Sequence, residues 1–208
     1  EIWLASGALQ GEAVAYMAPN YKMTDQTWRG LKTLLVDVIK EKSETSKRLT
    51  LVTGGIIELW SLENPDGPRG RRYKRVAIDE AAFLASDRIW YASIQPTLIA
   101  LGGSALFTST PFGQNWFYRL WKLGMEGRDP DYASFHFPTK ANPYIPAEEV
   151  DKAKRRLPEK IFSQEYEAAF IDDAGLVFRH IGECALATPQ EEAIPGHQYY
   201  IGADFAKS

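Results

Sequence analysis

Apolar positions along this chain follow two rhythms: short unbroken runs, and longer stretches in which they recur every three or four residues. "AVAYMAP", residues 13–19, is of the first kind and predicts a buried strand closed by Pro19. "TDQTWRGLKTLLVDVIKEK", residues 24–42, is of the second kind. Its Trp28, Leu31, Leu35 and Val38 share a helical face, and Thr24 or Asp25 offers a cap. "RLTLVTGGIIELWSL" is two β-rich runs about Gly54 and Gly55, the signal of a hairpin. "ENPDGPRGRR" holds Pro65, Gly67, Pro68 and Gly70 and predicts an irregular loop.

The same rhythms continue beyond the loop. A strand is expected over residues 75–79, a helical stretch over 90–101, and a second buried strand in "SALFTST". "NWFYRLWKLGME" places Phe117, Leu120, Trp121 and Gly124 on one helical face, and "YASFHFPT" alternates as a strand does. "PAEEVDKAKRRLPEKIFSQEYEAAF" predicts two helices, the second opening at Pro158, where proline is tolerated. Residues 182–197 read as a linker, and no internal repeat is present. Strands alternating with helices predict an α/β domain with a mainly parallel sheet. In such sheets chemistry gathers at the carboxyl ends of the strands. Asp79, Glu80, Thr108, Ser109 and Thr110 all fall at such ends.

Val76-Ala77-Ile78 followed by Asp79-Glu80 has the form of a Walker B motif. One carboxylate serves a phosphate-bound Mg²⁺, usually through its water shell, and the next orients and deprotonates an attacking water. An acid pair that ends a strand and opens a helix gives the same pattern. "LFTSTPFG", residues 106–113, ends a second strand in three hydroxyl residues and a Pro-Phe-Gly turn. Hydroxyls there can sense a γ-phosphate beside the acids, or simply cap the next helix. The phosphate-cradling pattern G-x-x-x-x-G-K-[ST] is absent, and "GALQGEA" has glycines but no lysine. Either the protein is not an ATPase, or that loop is expected upstream of Glu1. The opening on Glu1, and an end at Ser208 just past a strand pattern, suggest an internal piece of a longer protein.

Composition adds limits. With 208 residues, 45% hydrophobic and 25% charged, the chain can bury a core. Its single cysteine, Cys184, excludes an internal disulfide, and no apolar run approaches the ~20 residues that cross a bilayer. Net charge is -3. Cations nevertheless cluster in "RGRRYKR" and "KAKRR", either as phosphate contacts or as a solvated loop and helix face. His136, His180 and His197 lack metal-ligand spacing, so no structural zinc is expected. The tryptophans read as core packing and Asp172-Asp173 as a turn.

Taken in order, these segments resemble the large terminase subunit of tailed bacteriophages, the ATPase-nuclease that packages viral DNA. "YMAPNY" looks like the family's strand after the phosphate loop, "VAIDEAAF" like its Walker B, and "TSTPFGQNWFY" like its coupling motif. "FSQEYEAAFIDDAGLVF" is similar to the segment that closes the ATPase region, and "YYIGADFAKS" to the first nuclease strand. The resemblance implies a P-loop NTPase-type (ASCE) α/β domain over residues 1–178, a linker over 179–198, and the start of an RNase H-like nuclease over 199–208. It implies that Asp79 serves Mg²⁺, Glu80 is the catalytic base, and Thr108, Ser109 and Thr110 couple hydrolysis to movement. Arg69 takes the place of an arginine finger, and Asp204 that of a nuclease ligand for Mg²⁺ or Mn²⁺. ATP, double-stranded DNA, a portal protein and a small terminase subunit are the implied ligand and partners. The implied setting is a homo-oligomeric ring in the host cytoplasm, away from the membrane and absent from the mature virion. Truncation implies an inactive fragment. Another nucleic-acid-dependent ATPase such as a helicase, or a non-catalytic scaffold with this fold, is the alternative.

Overall fold

The computed structural model describes residues 1–171 together with Pro195, Gly196 and Gln198. Contacts divide the chain into Glu1–Ala174 and Gly175–Ser208. The account below concerns the first unit. Asp204, Asp172, Asp173, His180, His197 and the linker and nuclease-strand expectations lie outside the described residues.

Helix α1 (Ile2–Leu9) leads into β1 (Ala13–Ala18), α2 (Tyr21–Leu34), then β2 (Ile39–Ser43), β3 (Arg48–Leu51) and β4 (Ile56–Ser61). After the loop come β5 (Arg75–Ile78), α3 (Gln95–Ile99), β6 (Ser104–Phe107), α4 (Trp116–Met125), α5 (Ala147–Arg156) and α6 (Glu159–Glu165). One six-stranded sheet runs in the order β2-β3-β4-β1-β5-β6. The four strands β4, β1, β5 and β6 are parallel, and β2 and β3 join antiparallel at one side.

β1 explains the layering. Val14, Tyr16 and Ala18 pack with α1, α2, β3 and β4 through Leu4, Trp28, Leu31, Leu49 and Ile57. The alternate residues Ala15 and Met17 pack on the opposite face with Val76, Ile78, Trp90, Ile94 and Trp116. A strand buried on both faces needs an unbroken apolar run, and "AVAYMA" supplies one. The expected α/β class with a mostly parallel sheet is therefore the observed one.

Beside β6, expected to be buried but found as the outer strand of the sheet with Leu106 43% exposed, three local expectations need correction. The helix expected over residues 24–42 is shorter and starts earlier. Asn20 is its cap, accepting the Met23 N–H at 3.1 Å, while Thr24 is buried and bonds the Tyr21 carbonyl, and Asp25 pairs with Arg29 and Lys47. The chain turns at residues 36–38 and becomes β2, "IKEKS", an edge strand that is largely exposed and charged, which discourages further pairing. Second, residues 132–138 form no strand. Phe135 and Phe137 are 71% and 74% exposed and stack at 6.3 Å, because alternation without a neighbouring edge yields no ladder. Third, the stretch before Leu101 is a π-helical run (Ile89–Ile94) that passes into α3 around Pro96, which has no N–H to give.

The hairpin about Gly54 and Gly55 is present, and close packing explains its second glycine. Thr53 donates to the Ala8 carbonyl at 2.7 Å, and a Cβ on Gly55 would stand 1.9 Å from that same oxygen. Gly54 has a φ of +85° but open space around it. Gly55→Ala should therefore lower unfolding free energy by about 3 kcal/mol, as overpacked sites do. Gly54→Ala should cost only about 1 kcal/mol of backbone strain. Urea denaturation of the two variants orders them, and equal losses would contradict the packing account.

Candidate active site

Parallel pairing carries two strand ends to one place. β5 lies between β1 and β6, with Ile78 opposite Met17 on one side and Phe107 on the other. The ladder runs one residue further on each side. The Asp79 N–H donates to the Met17 carbonyl at 2.9 Å, the Thr108 N–H to Ile78 at 2.9 Å, and the Ala81 N–H to Thr108 at 3.1 Å. The backbones at Asp79 and Thr108 are thus fixed as strand, although both residues sit where side chains meet solvent.

Asp79 is held on both oxygens. Oδ1 accepts the Thr108 hydroxyl at 2.8 Å and the Glu80 N–H at 3.1 Å, and Oδ2 accepts the Tyr16 phenol at 2.7 Å. Burial, and then the Asp79 carboxylate, push the Tyr16 phenol well above its ordinary range, while Thr27 pulls it partly back. It is a donor at every physiological pH.

Glu80 turns the chain. Its φ of 48° and ψ of 45° are left-handed, a conformation that costs a non-glycine residue about 1–2 kcal/mol and gathers at functional sites. Its Oε2 lies 3.4 Å from the Thr110 N–H and 3.3 Å from the Ser109 hydroxyl. That hydroxyl also accepts the Ala82 N–H at 3.1 Å and stands 2.8 Å from the Thr110 carbonyl, so its one proton is shared. Asn115 adds a second link between the loops. Its Nδ2 donates to the Ala82 carbonyl at 2.7 Å, and its Oδ1 caps α4 through the N–H groups of Phe117 and Tyr118.

The donor set bears on which metal could bind. Among the described residues no group of three or more His, Cys, Asp or Glu is placed to hold an ion. One carboxylate beside a hydroxyl fits Mg²⁺, which keeps most of its waters and takes one or two carboxylates plus substrate phosphates. It does not fit an all-protein cage or a zinc site.

Five sequence-singled residues, Asp79, Glu80, Thr108, Ser109 and Thr110, therefore form one hydrogen-bonded cluster. Arg69 is not part of it. Its Nε pairs with Asp66 at 2.8 Å and approaches the Ser93 hydroxyl at 3.3 Å, and its side chain is half exposed. The basic run around it is largely engaged inside the domain. Arg71 faces buried Glu58 at 3.6 Å, Lys74 bonds two carbonyls and Arg75 pairs with Glu12 at 2.7 Å. The second run ends α5, whose acids open the helix and whose bases close it, as the helix dipole favours.

Sequence reasoning did not single out Tyr16 or Asn115. A phenol in the middle of a buried strand was the available signal for Tyr16, since its hydroxyl needs a partner. Asn115 carried only the generic signal of a helix cap.

Comparison with known proteins points to one family. The family described as "Terminase large subunit, T4likevirus-type, N-terminal" matches residues 5–182. The large terminase subunit of Escherichia phage T5 is 30% identical over 169 residues, covering 79% of this chain and 39% of that protein. The large terminase subunit of Thermus phage G20c is 33% identical over 177 residues, covering 71% of this chain and 35% of that one. This chain thus spans well under half the length of these relatives. The ATPase domain of the Thermus phage P74-26 large terminase superposes with a TM-score of 0.65 at 26% identity, over 78% of each chain. The large terminase of another thermophilic bacteriophage, in complex with ADP, shares the fold, with a TM-score of 0.62 at 13% identity, over 78% of this chain and 41% of that one.

The left-handed turn at residue 80 makes a prediction independent of any activity. Glu80→Gly and Glu80→Ala both remove the carboxylate, so their difference isolates the backbone. The glycine variant should be the more stable by about 1 kcal/mol, the reverse of the order in a helix. Thermal or urea unfolding reads it, and an alanine variant of equal or greater stability would contradict the strain.

Proposed function

This chain belongs to the terminase large-subunit family, and we propose that it forms most of the ATPase domain of a viral DNA-packaging motor. In this reading the motor hydrolyses ATP to move double-stranded DNA into a procapsid. The observation that carries the reading is the cluster of Asp79, Glu80, Thr108, Ser109 and Thr110 across the ends of two parallel strands. Isolated acids that merely end a strand would not need the hydroxyls of Thr108 and Ser109 and the N–H of Thr110, just past the next strand, turned toward them.

Each residue then has a role. Asp79, fixed by hydrogen bonds on both oxygens, holds the water shell of Mg²⁺. Bound there with ATP, the ion supplies neutralising charge for the phosphates during transfer. Glu80 orients the attacking water and takes its proton. Thr108, Ser109 and Thr110 report the occupancy of the site through their bonds to both acids. Arg69, on the exposed loop between β4 and β5, leaves its pairing with Asp66 to reach a neighbouring subunit's nucleotide. The phosphate-cradling loop is supplied upstream of Glu1 in the full-length protein, so this chain alone turns over little ATP. Asp204 is a metal ligand of the C-terminal nuclease. A homo-oligomeric ring on the portal, a small terminase subunit as partner, and action in the host cytoplasm complete the proposal. Among the described residues, no helix is long and apolar enough to cross a membrane.

Three variants of the full-length protein test these roles. Glu80→Gln should keep nucleotide affinity and lose about 10²-fold or more in turnover, the usual worth of a general base. Wild-type turnover would assign Glu80 to capping and favour a scaffold. Arg69→Ala should lower ATPase activity by about 10³-fold, since an arginine supplied in trans is worth that much. Mixing Arg69→Ala with Glu80→Gln subunits should restore part of the activity, and a dead mixture of freely exchanging subunits would end the trans role. Asp204→Ala should abolish DNA cutting and spare ATP hydrolysis, with gel assays and phosphate release reading the two activities separately.

A further inference from the structure

Tyr16 stands out because it is a buried polar residue that the roles above do not use. It lies opposite Ala77 in the β1–β5 register, two residues before Asp79. In a parallel pair, residues two apart share a face, and the offset of two residues is about 6.6 Å along the strand. A tyrosine side chain spans that distance, and an aspartate's or serine's does not. The ring lies in the core with Val14, Ala18, Leu59 and Trp28, and only 7% of the residue is exposed. A phenol buried among apolar groups must find an acceptor, and the one it finds at 2.7 Å is Asp79 Oδ2. Thr27 on α2 is buried in the helix layer over the same strand.

The bonds on Asp79 can be counted. An ionised carboxylate offers about four acceptor positions, two on each oxygen. Thr108 and the Glu80 N–H occupy Oδ1, and Tyr16 occupies one position on Oδ2. A single acceptor position remains, on the oxygen that the phenol holds. We propose that Tyr16 is a positioning residue that fixes the plane of the Asp79 carboxylate from the core side, leaving one Oδ2 acceptor for a water of the nucleotide-bound Mg²⁺. Asp79 then contributes one water-mediated bond rather than bidentate ligation. The inference rests on the ATPase reading of the site and deepens it.

The test measures binding rather than turnover. Affinity of the full-length protein for a fluorescent ATP analogue is measured in EDTA and across a Mg²⁺ titration, for wild type and Tyr16→Phe. The phenylalanine keeps the core volume, so affinity in EDTA should match wild type. The Mg²⁺ concentration at half-effect should rise about 10-fold, at the low end of losses seen when a metal ligand's partner is removed. An unchanged Mg²⁺ midpoint overturns the proposal. So does an equal loss of affinity with and without Mg²⁺, which marks a purely structural role. If Tyr16→Phe fails to fold, Tyr16→Met, which also lacks the hydroxyl and adapts to the core, should raise the midpoint by a similar factor, and no shift overturns the proposal. A wild-type protein whose nucleotide affinity ignores Mg²⁺ would defeat the ATPase reading itself, and this inference with it.

Discussion

Two main-chain hydrogen bonds, from the N–H groups of Asp79 to Met17 and of Thr108 to Ile78, set the position of everything chemical in this domain. They continue the sheet one step beyond its apolar residues. A side chain at a strand end is usually free to wander with its loop, but here the backbone beneath it is still held as sheet. The carboxylate and the hydroxyl can therefore meet at 2.8 Å without a long loop having to be ordered first. The core makes this possible: β1, buried on both faces, is the wall against which β5 is registered.

Energetically the cluster sits at a boundary. Val76 and Ile78 are fully buried, while Thr108 is exposed. Polar groups just above a dry core have little water to fall back on, so each finds a partner in its neighbours. The left-handed turn at Glu80 is the cost of this compactness, since the chain must leave the strand at once for Ala81 and Ala82 to be buried. Strain of that kind persists only where surroundings over-determine the backbone, and bonds to Thr108, Ser109 and Asn115 do so here.

Much of the architecture was legible because buried strands leave an obvious trace. The runs at β1, β3, β4 and β5 are apolar for the same reason that they are central or paired, whereas the apolar run of β6 suggested a burial that an outer strand does not have. β2 left no trace, since an edge strand made of "IKEKS" is selected for charge rather than burial. Residues 132–138 left a false one, because alternation records which way side chains point and not whether a partner strand exists. The end of α2 was overread because Val36 and Val38 continue a helical spacing that the backbone abandons. At the site, the meeting of Asp79 and Glu80 with Thr108, Ser109 and Thr110 followed from the parallel-sheet rule alone. The contribution of Tyr16 could not, because it depends on a register 63 residues apart in sequence. Arg69 was placed in an exposed loop correctly, but its pairing with Asp66 is a local ion pair that a Pro- and Gly-rich loop does not announce.

Asn115 has a mechanical consequence. One amide group grips the Ala82 carbonyl with its nitrogen and the first N–H groups of α4 with its oxygen. Because the two ends belong to a single planar group, no torsion lies between them to absorb a displacement. The amide behaves as a strut: a shift of the turn after Glu80 either moves the start of the helix by a similar amount or breaks the cap. Slack in such a joint is limited to the stretch of its hydrogen bonds, a few tenths of an ångström. Motion begun at the acidic pair would therefore reach the far side of α4 as a rigid tilt rather than as diffuse loosening.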